Sequence, residues 1–394
     1  MFRKLKILCV VAGLPAEGGG FSEVVPAISA ALVRQGAEVT LATRAGTDVS
    51  NATLEAEAHG VTLVRFRPSF PGRIYFSWQM LSGLGRLVRE ADVVYLHGHW
   101  TFPIWWAGRC ALRQHKTLVM RPAGSLNPVQ LAHSAFAKKL ASFFDYALLR
   151  RADAIHVSSE AERDWTLQVP GLRERANRIF IVPNGVSVPD YLRNSEAGMT
   201  AFESRTLLYL GRIHPMKGLD LLLEAVKIHK DVSGEASKGA SDVRKIRLVI
   251  CGPDEEGTLE RLKSQVEELG LTDEVEFREP VRGAAKWELI KTCDGLVLPS
   301  RSENFGLVVA EALACGKPVI CTQGAPWEAL EREGMGWWTP ILAEGLASAI
   351  GKFSACSDTE LAAIGRRGSL YAVHNLSWDT AASSILCEIQ SRMK

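Results

Sequence analysis

The sequence predicts an α/β protein built from two doubly wound parallel-sheet domains in tandem. Three observations carry that expectation. At 394 residues the chain is too long for one ordinary core and long enough for two. Short β-rich apolar runs alternate with helical segments, the pattern of parallel strands joined by crossover helices. The alternation stops at a polar, poorly periodic stretch, DYLRNSEAGMTAFES (190–204), and restarts after it.

Taken in order, the strand-like runs of the first half are KILCVVAG, EVTLAT, VTLVRFRP, DVVYLHG, TLVMRPAG, DAIHVSS and IFIVPNG. Helical stretches such as FSEVVPAISAALVRQG and HSAFAKKLASFFDYALLRRA lie between them. The second half restarts with TLLYLGR and continues through IRLVICGP, VEFREP, DGLVLPS and KPVICTQG. The expected division is a first domain over 1–190, a linker over 191–204, a second domain over 205–375 and a closing amphipathic helix over 376–394. The stretch KDVSGEASKGASD (230–242) reads as a surface loop between a helix and its strand.

Composition narrows the class. A hydrophobic content of 47% with 23% charged residues is that of a water-soluble globular chain. No apolar run reaches the roughly 18 residues a bilayer span needs. The opening MFRKLKILCVVAGLP reads as a buried first strand, since a Gly-rich turn and no small-residue cleavage site follows. Eight scattered cysteines without a CxxC pair point to reduced thiols in a cytoplasm, not to zinc or a disulfide framework. The net charge of +2 divides into a net +7 over residues 1–190 and −5 over the rest. A basic half suits an anionic surface or a diphosphate-linked substrate. Nucleic acid is not expected, because no basic and aromatic stripe or reader motif occurs.

In doubly wound sheets, ligands sit just beyond the carboxyl ends of the strands. After LLYLGR the chain places Gly211, Arg212, Lys217 and Gly218 at a strand-to-helix turn bent by Pro215. Two cations five residues apart across a bend suit a diphosphate, the guanidinium as a fork of donors and the ammonium as a point charge. After GLVLPS come Glu303 and Asn304, then FGLVVAEALAC as a helix closed by Gly316. Backbone N–H groups of Phe305, Gly306 and Leu307 form a helix N-terminus suited to phosphate oxygens, and Gly306 permits close approach. Glu311 stands in an otherwise apolar run, where a carboxylate needs strong hydrogen-bond donors. A ribose diol supplies two; a protein cation or backbone N–H groups are the other source.

LPSRSENFGLVVAEALACGKPVI, LGRIHPMKG and IVPNGV, in this order, resemble the group 1 retaining glycosyltransferases (glycosyltransferase family 4), whose E-x7-E hallmark is matched by Glu303 and Glu311. The resemblance covers nearly the whole chain. It implies the GT-B fold, two Rossmann-like doubly wound parallel-sheet domains facing a central cleft. It also implies an N-terminal domain for the acceptor and a C-terminal domain for the nucleotide sugar. On this pattern Arg212 and Lys217 hold the donor diphosphate and neutralise it as it leaves, and Glu303 meets the transferred sugar. Gly211, Asn304, Phe305, Gly306, Leu307 and Glu311 complete the donor site. The Gly-rich turn AEGGGFSE, with Gly18, Gly19 and Gly20, resembles the loop that approaches the diphosphate from the first domain. Gly252-Pro253 and Pro280-Val281-Arg282 are candidates for framing the base. The last helix resembles the one that returns to the first domain.

One position departs from the family pattern. Many relatives carry a histidine, or in some subgroups an arginine, in the loop after the fifth strand, and here Ala123 stands there, with Arg121 or His99 as substitutes. HGHW (97–100), GAPWEAL and GWWTP resemble relatives that make surface polysaccharides. His97, His99 and Trp100 are therefore candidate acceptor or sugar contacts, or packing residues. With no DxD and no third ligand beside the two histidines, no metal and no other cofactor is expected. The resemblance implies transfer of a sugar from a nucleotide-diphosphate donor to a glycan or lipid-linked acceptor, with retention and in surface polysaccharide (lipopolysaccharide or exopolysaccharide) biosynthesis. A hydrolase or epimerase of nucleotide sugars, or a catalytically weak partner subunit, are the competing readings. The segment 67–90 mixes basic and aromatic residues with an apolar face, as a helix lying on the cytoplasmic membrane surface would, or one packed on its own sheet.

Overall fold

The computed structural model describes residues 3–15, 20–46, 50–70, 72–132, 135–187, 204–236 and 244–393. It divides into two compact units, residues 1–185 with 377–394, and residues 186–376. The expected linker at 191–204 lies almost wholly outside the described residues, as do Gly18 and Gly19.

The first unit is a parallel sheet of seven strands: β1 (Lys6–Gly13), β2 (Glu38–Arg44), β3 (Thr62–Phe66), β4 (Val93–His97), β5 (Thr117–Arg121), β6 (Ala154–Val157) and β7 (Ile179–Ile181). Their spatial order is β3-β2-β1-β4-β5-β6-β7, so the winding reverses between β1 and β4. Helices cover both faces, which is why the strands are apolar throughout instead of alternating. Val93, Val94, Tyr95, Leu96 and His97 are all buried. The helix Trp78–Glu90 presents Met80, Leu84 and Val88, spaced by four, to this core. Its apolar stripe is therefore taken up by its own sheet, while Trp78 at its start and Phe70 before it stay 67% and 90% exposed.

The second unit is a parallel sheet of six strands: β8 (Ser204–Leu210), β9 (Lys245–Cys251), β10 (Val275–Arg278), β11 (Gly295–Leu298), β12 (Val319–Thr322) and β13 (Gly336–Thr339). The order β10-β9-β8-β11-β12-β13 puts its reversal between β8 and β11. Leu208, Val249, Val297 and Ile320 meet Leu222, Val226, Ile350 and Phe353 in one core. Strand β13 is an addition to the sequence expectation, which treated GWWTP only as a motif. Four residues with two partly exposed tryptophans carry no clear period of two, and pairing with β12 defines the strand. The helix Leu219–Ala236 also runs further than expected, into the stretch read as a loop.

The final helix, Trp378–Gln390, belongs to the first unit. Asp379 pairs with Arg34 at 2.8 Å, and Arg392 donates to the carbonyl of Asn177. Helix Asp358–Asn375 opens with a capping box, in which Ser357 and Glu360 each accept the other's backbone N–H. Ser357→Ala is expected to cost about 1 kcal/mol, read as a lower urea midpoint with an unchanged slope.

Candidate active site

In the second unit the winding reverses between β8 and β11, where the crevice of a doubly wound sheet lies. The loops leaving these two strands carry Arg212 and Lys217, and Glu303. Each loop is shaped by close backbone approach. A Cβ on Gly218 would stand 2.2 Å from the carbonyl oxygen of Pro299, and one on Gly252 would stand 1.8 Å from that of Gly211. Gly218 also holds φ at 65°, the left-handed region open to glycine. The backbone of Arg301 donates to Met216 O at 2.9 Å, and the Arg301 guanidinium grips both Asp220 oxygens at 2.7 and 2.6 Å. From the β12 loop, Gly324 O accepts the Glu303 N–H at 2.7 Å. Three loops are thus tied together by main-chain bonds before any side chain acts.

Within that frame Lys217 and Glu303 form an ion pair, both side chains more than four-fifths buried, and Ser300 Oγ donates to the same Glu303 oxygen at 3.3 Å. Arg212 is turned to Glu255 at 2.7 Å with its side chain 55% exposed. Each of the two cations thus has its own carboxylate in the structure. Tyr209, whose hydroxyl donates to Arg212 O at 2.6 Å, has its phenol pushed far up, by burial first and then by Glu303 and Glu255.

Helix Leu307–Ala314 begins at Gly306, φ 78°. The carbonyl of Phe305 accepts from the Trp327 indole, and the two rings lie 5.2 Å apart. Glu311 is buried, as expected, and the structure supplies one donor that sequence reading left unnamed. Lys286, at the start of helix Ala284–Thr292, reaches Glu311 Oε1 at 2.8 Å, with its ammonium 5.0 Å from the Trp287 ring centre. Lys286 lies 25 residues away in an unremarkable helix, and only the fold brings the pair together.

In the first unit the reversal lies beside β4, whose end carries HGHW. His97 is 1% exposed, its ring 4.2 Å from that of Tyr95. His99 gives its Nδ1–H to Asp145 at 2.9 Å, both side chains fully buried. Asp145 also accepts from the Trp100 backbone at 3.2 Å and the Trp105 indole at 2.7 Å. That carboxylate holds Trp100 at φ 61°, a strained conformation for a bulky residue. Ala123 is held likewise at φ 50°, because Glu162 accepts from Gly124 N at 2.6 Å and from Ser158 N at 2.7 Å. Arg121 is 2% exposed and donates to Asn184 at 2.5 Å. Asp145 and Glu162 carry no signal in the sequence, because a lone acid in a helix does not say what it holds; Asn184 lies within IVPNGV, but nothing in that motif names Arg121 as its partner. Gly20 opens helix Gly20–Arg34.

His156 accepts or donates within a buried pair with Tyr95 and bonds Val182 O at 2.8 Å; burial, then the Arg121 charge, lowers it from 6.5 to about 3. The same two causes hold His97 well below 6.5. Both are neutral when folded and take a proton on unfolding, so the stability they contribute is full above pH 6.5 and decays as pH falls from there toward 3. Melting temperatures are expected to drop over that window in the native chain, and less steeply in His156→Phe.

Among the described residues no cluster of three or more His, Cys, Asp or Glu is placed to hold a metal ion. No described helix is long and apolar enough to cross a membrane.

Two doubly wound units with these loops define the GT-B class. The chain matches the structure of Anabaena HepE in complex with UDP and glucose with a TM-score of 0.71 at 21% identity, over 98% of this chain and 100% of that one. It matches WaaG, a glycosyltransferase involved in lipopolysaccharide biosynthesis, with a TM-score of 0.63 at 18% identity, over 97% and 99%. The family model for glycosyl transferases group 1 matches residues 196–367, and that for the glycosyl transferase 4-like domain matches residues 19–185. The chain belongs to the group 1 glycosyltransferases. A D-inositol 3-phosphate glycosyltransferase of Streptomyces griseus is 33% identical over 183 residues, 45% of this chain and 37% of the relative, so that match spans well under half the relative's length. One from Actinosynnema mirum is 25% identical over 94% of this chain and 91% of its own.

Proposed function

We propose that the protein transfers a sugar, with retention and without a metal, from a nucleotide-diphosphate sugar to a glycan or lipid-linked acceptor in cell-surface polysaccharide biosynthesis at the cytoplasmic membrane face. The observation that carries this is the Lys217–Glu303 pair at the β8/β11 reversal, beside the free N-terminus of helix Leu307–Ala314. A diphosphate offers Lys217 a stronger counter-charge than Glu303, so donor binding exchanges one partner for another. Lys217 moves to the phosphate, and Glu303, still braced by Ser300, is released toward the sugar hydroxyls. Arg212, already outward and on a weaker exposed pair with Glu255, is available to join it. The helix N-terminus adds backbone donors.

In the step itself the acceptor hydroxyl attacks the anomeric carbon from the face the diphosphate leaves. Its proton passes to the departing phosphate oxygen, whose charge Lys217 and Arg212 stabilise. This step uses no pair of carboxylates as nucleophile and acid, so a retaining glycosidase is not the model. The relatives named for an inositol phosphate and for lipopolysaccharide assembly support a polyhydroxylated acceptor. Exposed Phe70 and Trp78 on the first unit, whose sequence carries a net positive charge, support peripheral contact with an anionic bilayer.

The test is product NMR after incubation with nucleotide sugars and an acceptor panel in chelator. The expected product keeps the donor's anomeric configuration; inversion, or turnover only with added divalent metal, would refute the reading. Co-flotation with anionic liposomes is expected to fall several-fold in Trp78→Ala; no flotation of the native chain removes the membrane contact.

A further inference from the structure

Among the described residues two arginines are almost wholly buried, and their surroundings differ. Arg205, 1% exposed, pairs with Asp358 at 2.6 Å and lies 3.8 Å from Asp294. Arg121, 2% exposed, has no carboxylate partner among the described residues; its Nη2 donates to the neutral Asn184 amide, itself 5% exposed, and its Nε donates to nothing. Across the sheet, His97 is its register partner, and neither ring nitrogen of His97 has a hydrogen bond.

Among the described residues, Tyr95, His97 and His156 feel the Arg121 charge and offer it no counter-charge. All three are neutral, the two histidines because burial and that same guanidinium hold their pKa down. Two nearby acids among the described residues are engaged elsewhere. Glu162 is spent on Gly124 and Ser158, and Asp145 on His99, Trp100 and Trp105. An ionised guanidinium buried without an anion is costly, and arginine stays ionised in proteins. Its place is the last residue of β5, one strand from the β1/β4 reversal, where the crevice of this sheet lies.

We propose that Arg121, with His97 beside it, forms an oxyanion subsite on the first unit, and that the acceptor carries the carboxylate or phosphate that fills it. The guanidinium fork suits the paired oxygens of either group. The acceptor assignment rests on the transferase reading; the oxyanion site stands on its own geometry. It also supplies a chemical reason for Ala123 in place of an imidazole: the neighbouring cation takes over the contact with a charged acceptor.

The experiment is calorimetric titration of the full chain, with saturating UDP to occupy the second unit, using glucose, glucose 6-phosphate, glucuronate and inorganic phosphate. The charged sugars are expected to bind at least about tenfold more tightly than glucose. Glucose 6-phosphate against glucuronate tells phosphate from carboxylate. Arg121→Met is expected to erase the preference while UDP affinity stays within about twofold, and Arg121→Lys to keep part of it. No preference for charge in the native chain, or a preference that persists in Arg121→Met, overturns the proposal; the native comparison decides even if Arg121→Met does not fold. Failure of UDP to bind counts against the transferase reading instead, and the same panel on Lys217→Ala then reads the oxyanion site alone.

Discussion

Lys217→Met is expected to lower kcat for transfer by about 10²–10³-fold, with a smaller change in the KM for donor. The argument is one of timing. In the free protein Lys217 is matched to Glu303, and on the proposed reading it meets, in the ground state, a diphosphate whose charge is spread over several oxygens. In the transition state the bond to the anomeric carbon is breaking and charge collects on the leaving oxygen. A cation aimed there gains most at that moment, so its loss falls on kcat more than on KM. Arg212→Met is expected to cost less, because the Arg212 side chain is 55% exposed and works in higher dielectric. Single-turnover kinetics with saturating acceptor measure both variants. Equal losses in kcat/KM with unchanged kcat would make Lys217 a binding residue only.

Glu311→Ala is expected to weaken nucleoside diphosphate binding by about 30–100-fold, the size of one to two hydroxyl bonds to a carboxylate. Calorimetry with UDP, GDP, ADP and dTDP in chelator reads it and names the base in the same series. The Lys286 contact makes a control necessary. If Glu311 serves only to pair with Lys286, then Lys286→Met should weaken the nucleotide as much as Glu311→Ala does. If the ribose diol is the ligand, Lys286→Met should change affinity by no more than a few-fold and show itself mainly in stability. A double-mutant cycle separates the two, since residues in direct contact couple.

The β8 and β11 loops were legible because each local requirement leaves a residue type behind. A turn that must admit a carbonyl oxygen needs glycine, as at Gly218, and a charge in an apolar run needs a reason, as at Glu311. The apolar stripe of helix Trp78–Glu90 was equally legible as a period, yet the period alone did not say whether lipid or sheet would cover it. Strand β13 was hidden because a four-residue strand shows no period and is defined by its neighbour.

The sequence by itself determined the two-domain α/β plan, every strand except β13, and the glycine-bent loops after β8 and β11. These follow from hydrophobic alternation and from turn residues, which are local properties of the chain. Only the tertiary structure decided who meets whom. Lys217 goes to Glu303 and Arg212 to Glu255, Lys286 reaches Glu311, and Arg121 is buried beside two neutral histidines with an amide and, among the described residues, no acid. Partners separated by 25 to 86 residues are chosen by the order in which strands stack and helices pack. The value of a charge is set by that choice, because burial removes the water that would otherwise answer it.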